Sequence, residues 1–267
     1  MEFTEHLFTR RIVLFSYLKN IYKLKAPPKM INFTSNLYQD EFSFKETKHL
    51  RTKSLTRGDI LTSSQVSGIE VRLSNVFIKD NKTPRIGPFP GLAKVYLLNI
   101  VVSDIQNSTI DLGLEGFEKV DDKQNLGIDR TLFYWKKESR GSKSPSQIHL
   151  MTSLIKSKKA LRETGSVLES VKDDDDFKSI ASTIGTIVKT ATPISAISEI
   201  VFRTAAIVGK FLGNVDDKPL LTRFQSFSDI AGSFNQIGKT VFPFGNMYAD
   251  VDYSVYIRDK ERQEAEK

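Results

Sequence analysis

The stretch Tyr248-Ala-Asp-Val-Asp-Tyr-Ser-Val-Tyr-Ile-Arg258 decides the fold. Ala249, Val251, Tyr253, Val255 and Ile257 fall on one side of an extended chain. Tyr248, Asp250, Asp252, Ser254, Tyr256 and Arg258 fall on the other. Successive strand side chains point to opposite faces, so this strict alternation specifies a strand with one dry and one wet face. A dry face needs a second layer over it, and the commonest all-β solution is two packed antiparallel sheets.

The partners for such a strand lie earlier in the chain. Ile69, Val71 and Leu73 alternate with Glu70 and Arg72, and after Asn75 the apolar parity moves to Val76 and Ile78. One extra residue flips the exposed face, so the shift predicts a β-bulge within one strand. Arg85-Ile-Gly-Pro-Phe-Pro-Gly91 reads as a turn. From Lys94 to Val102 nearly every residue is apolar and many are β-branched, which predicts a central strand buried on both faces. Further strands are expected at Thr131–Trp135, Ile148–Ile155, Leu220–Phe227 and Lys239–Phe242, the last ending at Pro243. A short edge strand around Phe42 and Phe44 completes the set.

Between the two groups of strands the periodicity changes to that of a helix. Leu161, Leu168 and Val171 predict a short helix. Asp173–Asp176 then supply an N-cap and favourable charge at a helix start. Phe177, Ile180, Ala181, Ile184, Ile187, Val188 and Ala191 share one helical face. Thr192-Pro193 marks a corner, and Ile194, Ile197, Ile200, Val201, Ala205 and Val208 form a second apolar face that stops at Gly213. Lys178, Lys189, Glu199, Arg203 and Lys210 break this stretch into apolar runs too short to span a bilayer. The expected fold is therefore mainly β with an α insertion: an antiparallel β-sandwich carrying a helical pair, residues 174–213, before its last strands.

The chain of 267 residues divides on this reading into three parts. Residues 1–29 form a basic amphipathic helix, with Leu14, Tyr17, Leu18, Ile21 and Leu24 at helical spacing, or an extension ahead of a start at Met30. Residues 30–258 form one sandwich domain, and 259–267 a charged tail. The net charge of +7 favours acidic partners. Nine Lys/Arg against two acids fall between Asp129 and Arg162, and the segment's net charge of +7 equals that of the whole chain. Lys136, Lys137, Arg140, Lys143, Lys156, Lys158, Lys159 and Arg162 are the candidate contacts to an anionic surface. Anionic lipid or another protein is the expected partner. Nucleic acid is less favoured, since Phe133, Tyr134 and Trp135 fit a strand core as well as a stacking platform.

The chain has no Cys and only three widely spaced His, with no motif of nucleophilic, zinc or phosphate-loop chemistry. No cofactor is called for. Calcium is the single exception considered, with Asp80, Asp104, Asp216 and Asp217 as loop carboxylates that a sandwich could gather at one end. This gives a loose likeness to C2-type lipid-binding sandwiches, although the spacing matches no motif of that family. The function expected from sequence is non-enzymatic binding to an anionic surface such as membrane lipid. A pore-forming or toxin-like effector that releases 177–213, and a hydrolase with a site assembled from distant residues, are the alternatives. The expected location is the cytoplasm or a membrane periphery, with secretion lacking a usual signal also compatible.

Overall fold

The computed structural model describes residues 31–33, 37–39, 66–88, 91–105, 110–138, 144–189, 194–213, 218–229 and 231–258. The basic amphipathic segment near the N-terminus, the Phe42/Phe44 strand, the Thr192-Pro193 corner and the charged tail lie outside these residues.

Among the described residues ten strands make two sheets. The first has the order β1 (Leu37–Gln39), β8 (Leu221–Ser228), β7 (Gln147–Ser157), β3 (Ala93–Ser103), β4 (Asp111–Val120). It is antiparallel except for β1, which runs parallel to β8. The second has the order β5 (Gln124–Asn125), β2 (Gly68–Ile78), β10 (Ala249–Arg258), β9 (Gly238–Gly245), with β6 (Arg130–Lys136) also paired to β2. Strands from before and after the helices thus stand side by side in both sheets.

Among the described residues three helices, α1 (Thr164–Asp173), α2 (Asp175–Lys189) and α3 (Ile194–Leu212), lie between β7 and β8 in sequence. Val167, Val171, Phe177, Ile180, Ile184, Ile197, Val201, Ala205 and Val208 are buried against Tyr96, Leu98, Ile100, Met151, Ile155 and Phe224 of the first sheet. The opposite face of that sheet, with Val95, Leu97, Leu150, Leu154 and Phe227, packs on Ile69, Val71, Leu73, Val251, Tyr253 and Val255 of the second. The first sheet is therefore a middle layer, covered by helices on one side and by the second sheet on the other. This explains why Lys94–Val102 is apolar at almost every position: both sets of alternating side chains enter a core.

Strand β10 follows its sequence pattern closely. Ala249, Val251, Tyr253, Val255 and Ile257 are buried, while Asp250, Asp252, Tyr256 and Arg258 reach the surface. Ser254 alone departs from it, being buried where its hydroxyl donates to that of Ser74. The register of β2 against β10 slips at Ser74, where Asp252 pairs with Asn75 and Tyr253 with Leu73. That is the bulge the parity shift required, and Leu73 and Val76 consequently both point inward.

Two elements differ from the sequence pattern. β9 continues through Pro243 to Gly245 instead of stopping before it. It is an edge strand, so the missing N–H of Pro243 deprives no neighbour. β4 has no alternating apolar set, with Glu118 and Lys119 exposed and Gly113 and Gly116 in its middle. It is also an edge, paired with β3, and buries only Leu114 and Val120 among its own side chains.

The helical layer is capped as its charges imply. The Asp174 carboxylate accepts from Asp176 N and Phe177 N, closing the start of α2, and receives Lys210 Nζ of α3 at 2.8 Å. Gly213 ends α3 with φ +77°, the left-handed conformation glycine allows. Arg162 donates from its backbone N to the Tyr96 hydroxyl and from Nη1 to the Phe211 carbonyl, tying the end of α3 to the sheet.

Candidate binding surface at one pole of the sandwich

The strands run between two poles. One pole carries the loop 79–92 after β2, the β4–β5 turn, the residues after β7, the approach to β8 and the β9–β10 turn. The other carries the β3–β4, β6–β7 and β8–β9 connections. β7 crosses the middle sheet in 11 residues, so the poles stand roughly 35 Å apart at the rise of a strand.

This distance divides the residues that sequence had grouped. Lys156, Lys158 and Lys159 stand at the first pole, where β7 ends, and Arg162 follows them toward the end of α3. Lys136 and Lys137 stand at the second, where β6 ends. Arg140 and Lys143 lie outside the described residues, in the connection between β6 and β7. The six that are described do not share one surface. Of the three neighbouring aromatics, Phe133 and Trp135 are buried in the core and Tyr134 alone is exposed.

The acidic candidates divide the same way. Asp80 is at the first pole, where its carboxylate accepts from Lys82 N. Asp104 is at the second, accepting from the backbone N of Ser146 and Gln147 and from the Ser146 hydroxyl. Asp216 and Asp217 lie outside the described residues. Among the described residues no group of three His, Cys, Asp or Glu is arranged to hold a metal ion.

The first pole is built around Asn81, whose side chain is fully buried. Its Nδ2 donates to the carbonyls of Gly91 and Val120, and its Oδ1 accepts from Thr83 N. Asp122 accepts from Asn81 N. The two ends of loop 79–92 are thereby pinned to each other and to the end of β4. Gly91 has to be glycine, because a Cβ there would run into the carbonyls of Thr83 and Pro84. Three apolar side chains are exposed at this pole: Ile86 between the pins is 78% exposed, Leu92 just after them 44%, and Met247 in the β9–β10 turn 73%.

Basic side chains share this pole. Lys82 lies over the Tyr248 ring at 3.7 Å, and Lys156 Nζ donates to the Lys82 carbonyl. Arg85, Lys119, Lys123, Lys158, Lys159 and Lys218 are exposed at the same pole. The acids there are partly engaged: Asp80 accepts from Lys82 N, Asp121 from Asp122 N and Asp122 from Asn81 N, while Asp122 also lies 3.7 Å from Arg85 Nη2 and Asp250 pairs with Lys79. Sequence reasoning had marked Arg85–Gly91 only as a turn. The signal it passed over was apolar residues inside a Pro/Gly segment, which no sheet or helix period could bury.

One further arrangement has the outline of catalytic chemistry. His149 Nδ1 lies 2.9 Å from Ser226 Oγ, and Asp104 is close enough to act on the ring electrostatically. However, Gln147 Oε1, not a carboxylate, faces Nε2 at 3.2 Å. Ser226 is 3% exposed and His149 not at all, with the ring stacked beside Phe224. A nucleophile sealed in this way meets no substrate, and the pair serves to satisfy polar groups inside the sheet.

Comparison with family models, with curated proteins and with solved structures returned no match.

Proposed function

We propose that this protein is a non-enzymatic binding protein that docks on an anionic membrane surface through the first pole of its sandwich. The single observation that carries this reading is that the exposed Ile86, Leu92 and Met247 share one pole of the sandwich with the exposed Lys82, Arg85, Lys123, Lys158 and Lys159. Water is a poor environment for three such side chains. Each fully buried apolar side chain is worth about 1.5–3 kcal/mol. Each basic residue near an anionic leaflet adds about 1 kcal/mol. The sum supports reversible attachment in which the tips enter the headgroup layer and the lysines meet lipid phosphates. No helix among the described residues is long and apolar enough to cross a membrane.

Flotation with vesicles of phosphatidylcholine alone and with added phosphatidylserine tests the proposal. Protein is expected to float with the anionic vesicles at low salt and to be released at high salt. Ile86→Ser combined with Met247→Ser should reduce the floated fraction severalfold while the unfolding transition stays in place. Absence of binding, or binding indifferent to both salt and these substitutions, would overturn it.

A further inference from the structure

At the end of the molecule away from loop 79–92, the wet face of the second sheet holds a groove of about 230 Å³. Strand pairing fixes its plan. Tyr134 of β6, Glu70 of β2 and Tyr256 of β10 form one row across three strands. Lys136, Gly68 and Arg258 form the next. Gly68 therefore lies as a bare floor between two cations, with a tyrosine on either side.

Nothing internal demands that glycine. Its φ is not positive, and a Cβ there would meet only ordinary contacts at 3.6 Å from Arg258 Cβ and the Trp135 carbonyl. A strand glycine that the backbone does not need leaves room for an approaching group. Among the described residues the charge around it is unbalanced. Glu70, the acid nearest in the pairing, is already bonded to Arg72 and Thr131. Lys136 and Arg258 form no ion pair among the described residues. The two tyrosines are not equivalent: Lys239 lies over the Tyr256 ring at 5.5 Å, whereas Tyr134 is 61% exposed.

We infer that this groove binds a soluble phosphate monoester carrying a planar ring, its phosphate held between Lys136 and Arg258 over Gly68 and its ring stacked on Tyr134. A guanidinium and an ammonium converging from two strands suit a phosphate's several acceptor oxygens. An aromatic ring stacking on tyrosine needs no sequence- or base-specific hydrogen bond. The site stands at the pole opposite the proposed membrane contact, so its ligand comes from solution and its test requires no lipid.

Calorimetric titration of the full chain with AMP, adenosine and inorganic phosphate decides the matter. AMP is expected to bind saturably in the range of about 0.01–1 mM. Adenosine should bind at least tenfold more weakly, and so should phosphate alone. Lys136→Ala, Arg258→Ala and Gly68→Val should each weaken AMP at least tenfold, and Tyr134→Ala about tenfold, with phosphate affinity unchanged in the last. Val is a good strand residue and fills the floor, so an unaltered thermal transition in Gly68→Val separates lost binding from lost folding. No saturable binding of AMP, equal affinity for adenosine, or AMP affinity indifferent to the Lys136 and Arg258 variants would each overturn the inference.

Discussion

His149 shows how a single buried side chain contributes to the pH response of this fold. Burial holds its pKa down, from 6.5 to about 4, while nearby Asp104 pulls weakly the other way. An unfolded chain takes up the proton below about pH 6.5, the folded chain only below about pH 4. Between these values the unfolded state binds more protons, so stability falls as pH is lowered. The contribution is fully present above pH 6.5 and lost by pH 4, on the order of 3 kcal/mol at 1.36 kcal/mol per unit. Urea titrations across this window should show that decline, and His149→Gln should flatten it. An equal slope in the variant would assign the effect to other groups. Arg223 makes a related point about legibility. The alternation in β8 gives no hint that a guanidinium sits 2% exposed between the sheets. It is housed there because it donates to the carbonyls of Phe242 and Val251 and to Gln225 Oε1, and lies 4.3 Å over the Tyr253 ring. Such partners come from strands distant in sequence, and no local pattern announces them.

Among the elements, those with two-sided or alternating burial were readable and those held by their neighbours were not. β10 and β3 carry their positions in their own side chains. β4 does not, since Gly113, Gly116 and a charged end interrupt its apolar positions, and β9 runs past a proline that would end an interior strand. The helices were legible for another reason: their caps are local. Asp174 closes the start of α2 and meets Lys210, and the hydrogen bond from Lys210, ahead of those from backbone N–H groups, holds its carboxyl below the usual range. Asp174→Ala should cost about 1–2 kcal/mol, the ordinary worth of an N-cap, read from denaturant unfolding. Asp174→Asn should recover most of the capping part but not the contact with Lys210. If both variants unfold where the parent does, α2 is held by packing on the middle sheet alone.

For the molecule as a whole, the fold class followed from sequence because two periodicities alternate along the chain, two for strands and 3.6 for helices. The candidate surface did not. Net charge counts residues along a chain, whereas a sheet returns neighbours in sequence to opposite poles. Lys136 and Lys159 are close in sequence yet separated by the full length of β7. Ile86 and Met247 are distant in sequence and share one pole because β2 and β10 pair. A surface assembled by strand pairing is visible only once the pairing is known.

The place of the helices between β7 and β8 also bears on how the chain is made. During synthesis β7 leaves the ribosome well before β8, its hydrogen-bonding neighbour, has been translated. Throughout that interval one edge of the middle sheet is open, and an unpaired apolar edge recruits other chains. The helices emerge during that interval and can shield one face of the sheet, but they do nothing for its edge. A chain ending at Gly213 should accordingly collect in the insoluble fraction while the full chain stays in solution, as centrifugation of the two would show. A soluble, monomeric truncated chain would mean that the helical layer is guard enough. The insert is thus a delay written into the order of translation, and the vulnerable moment of this protein falls before its last three strands exist.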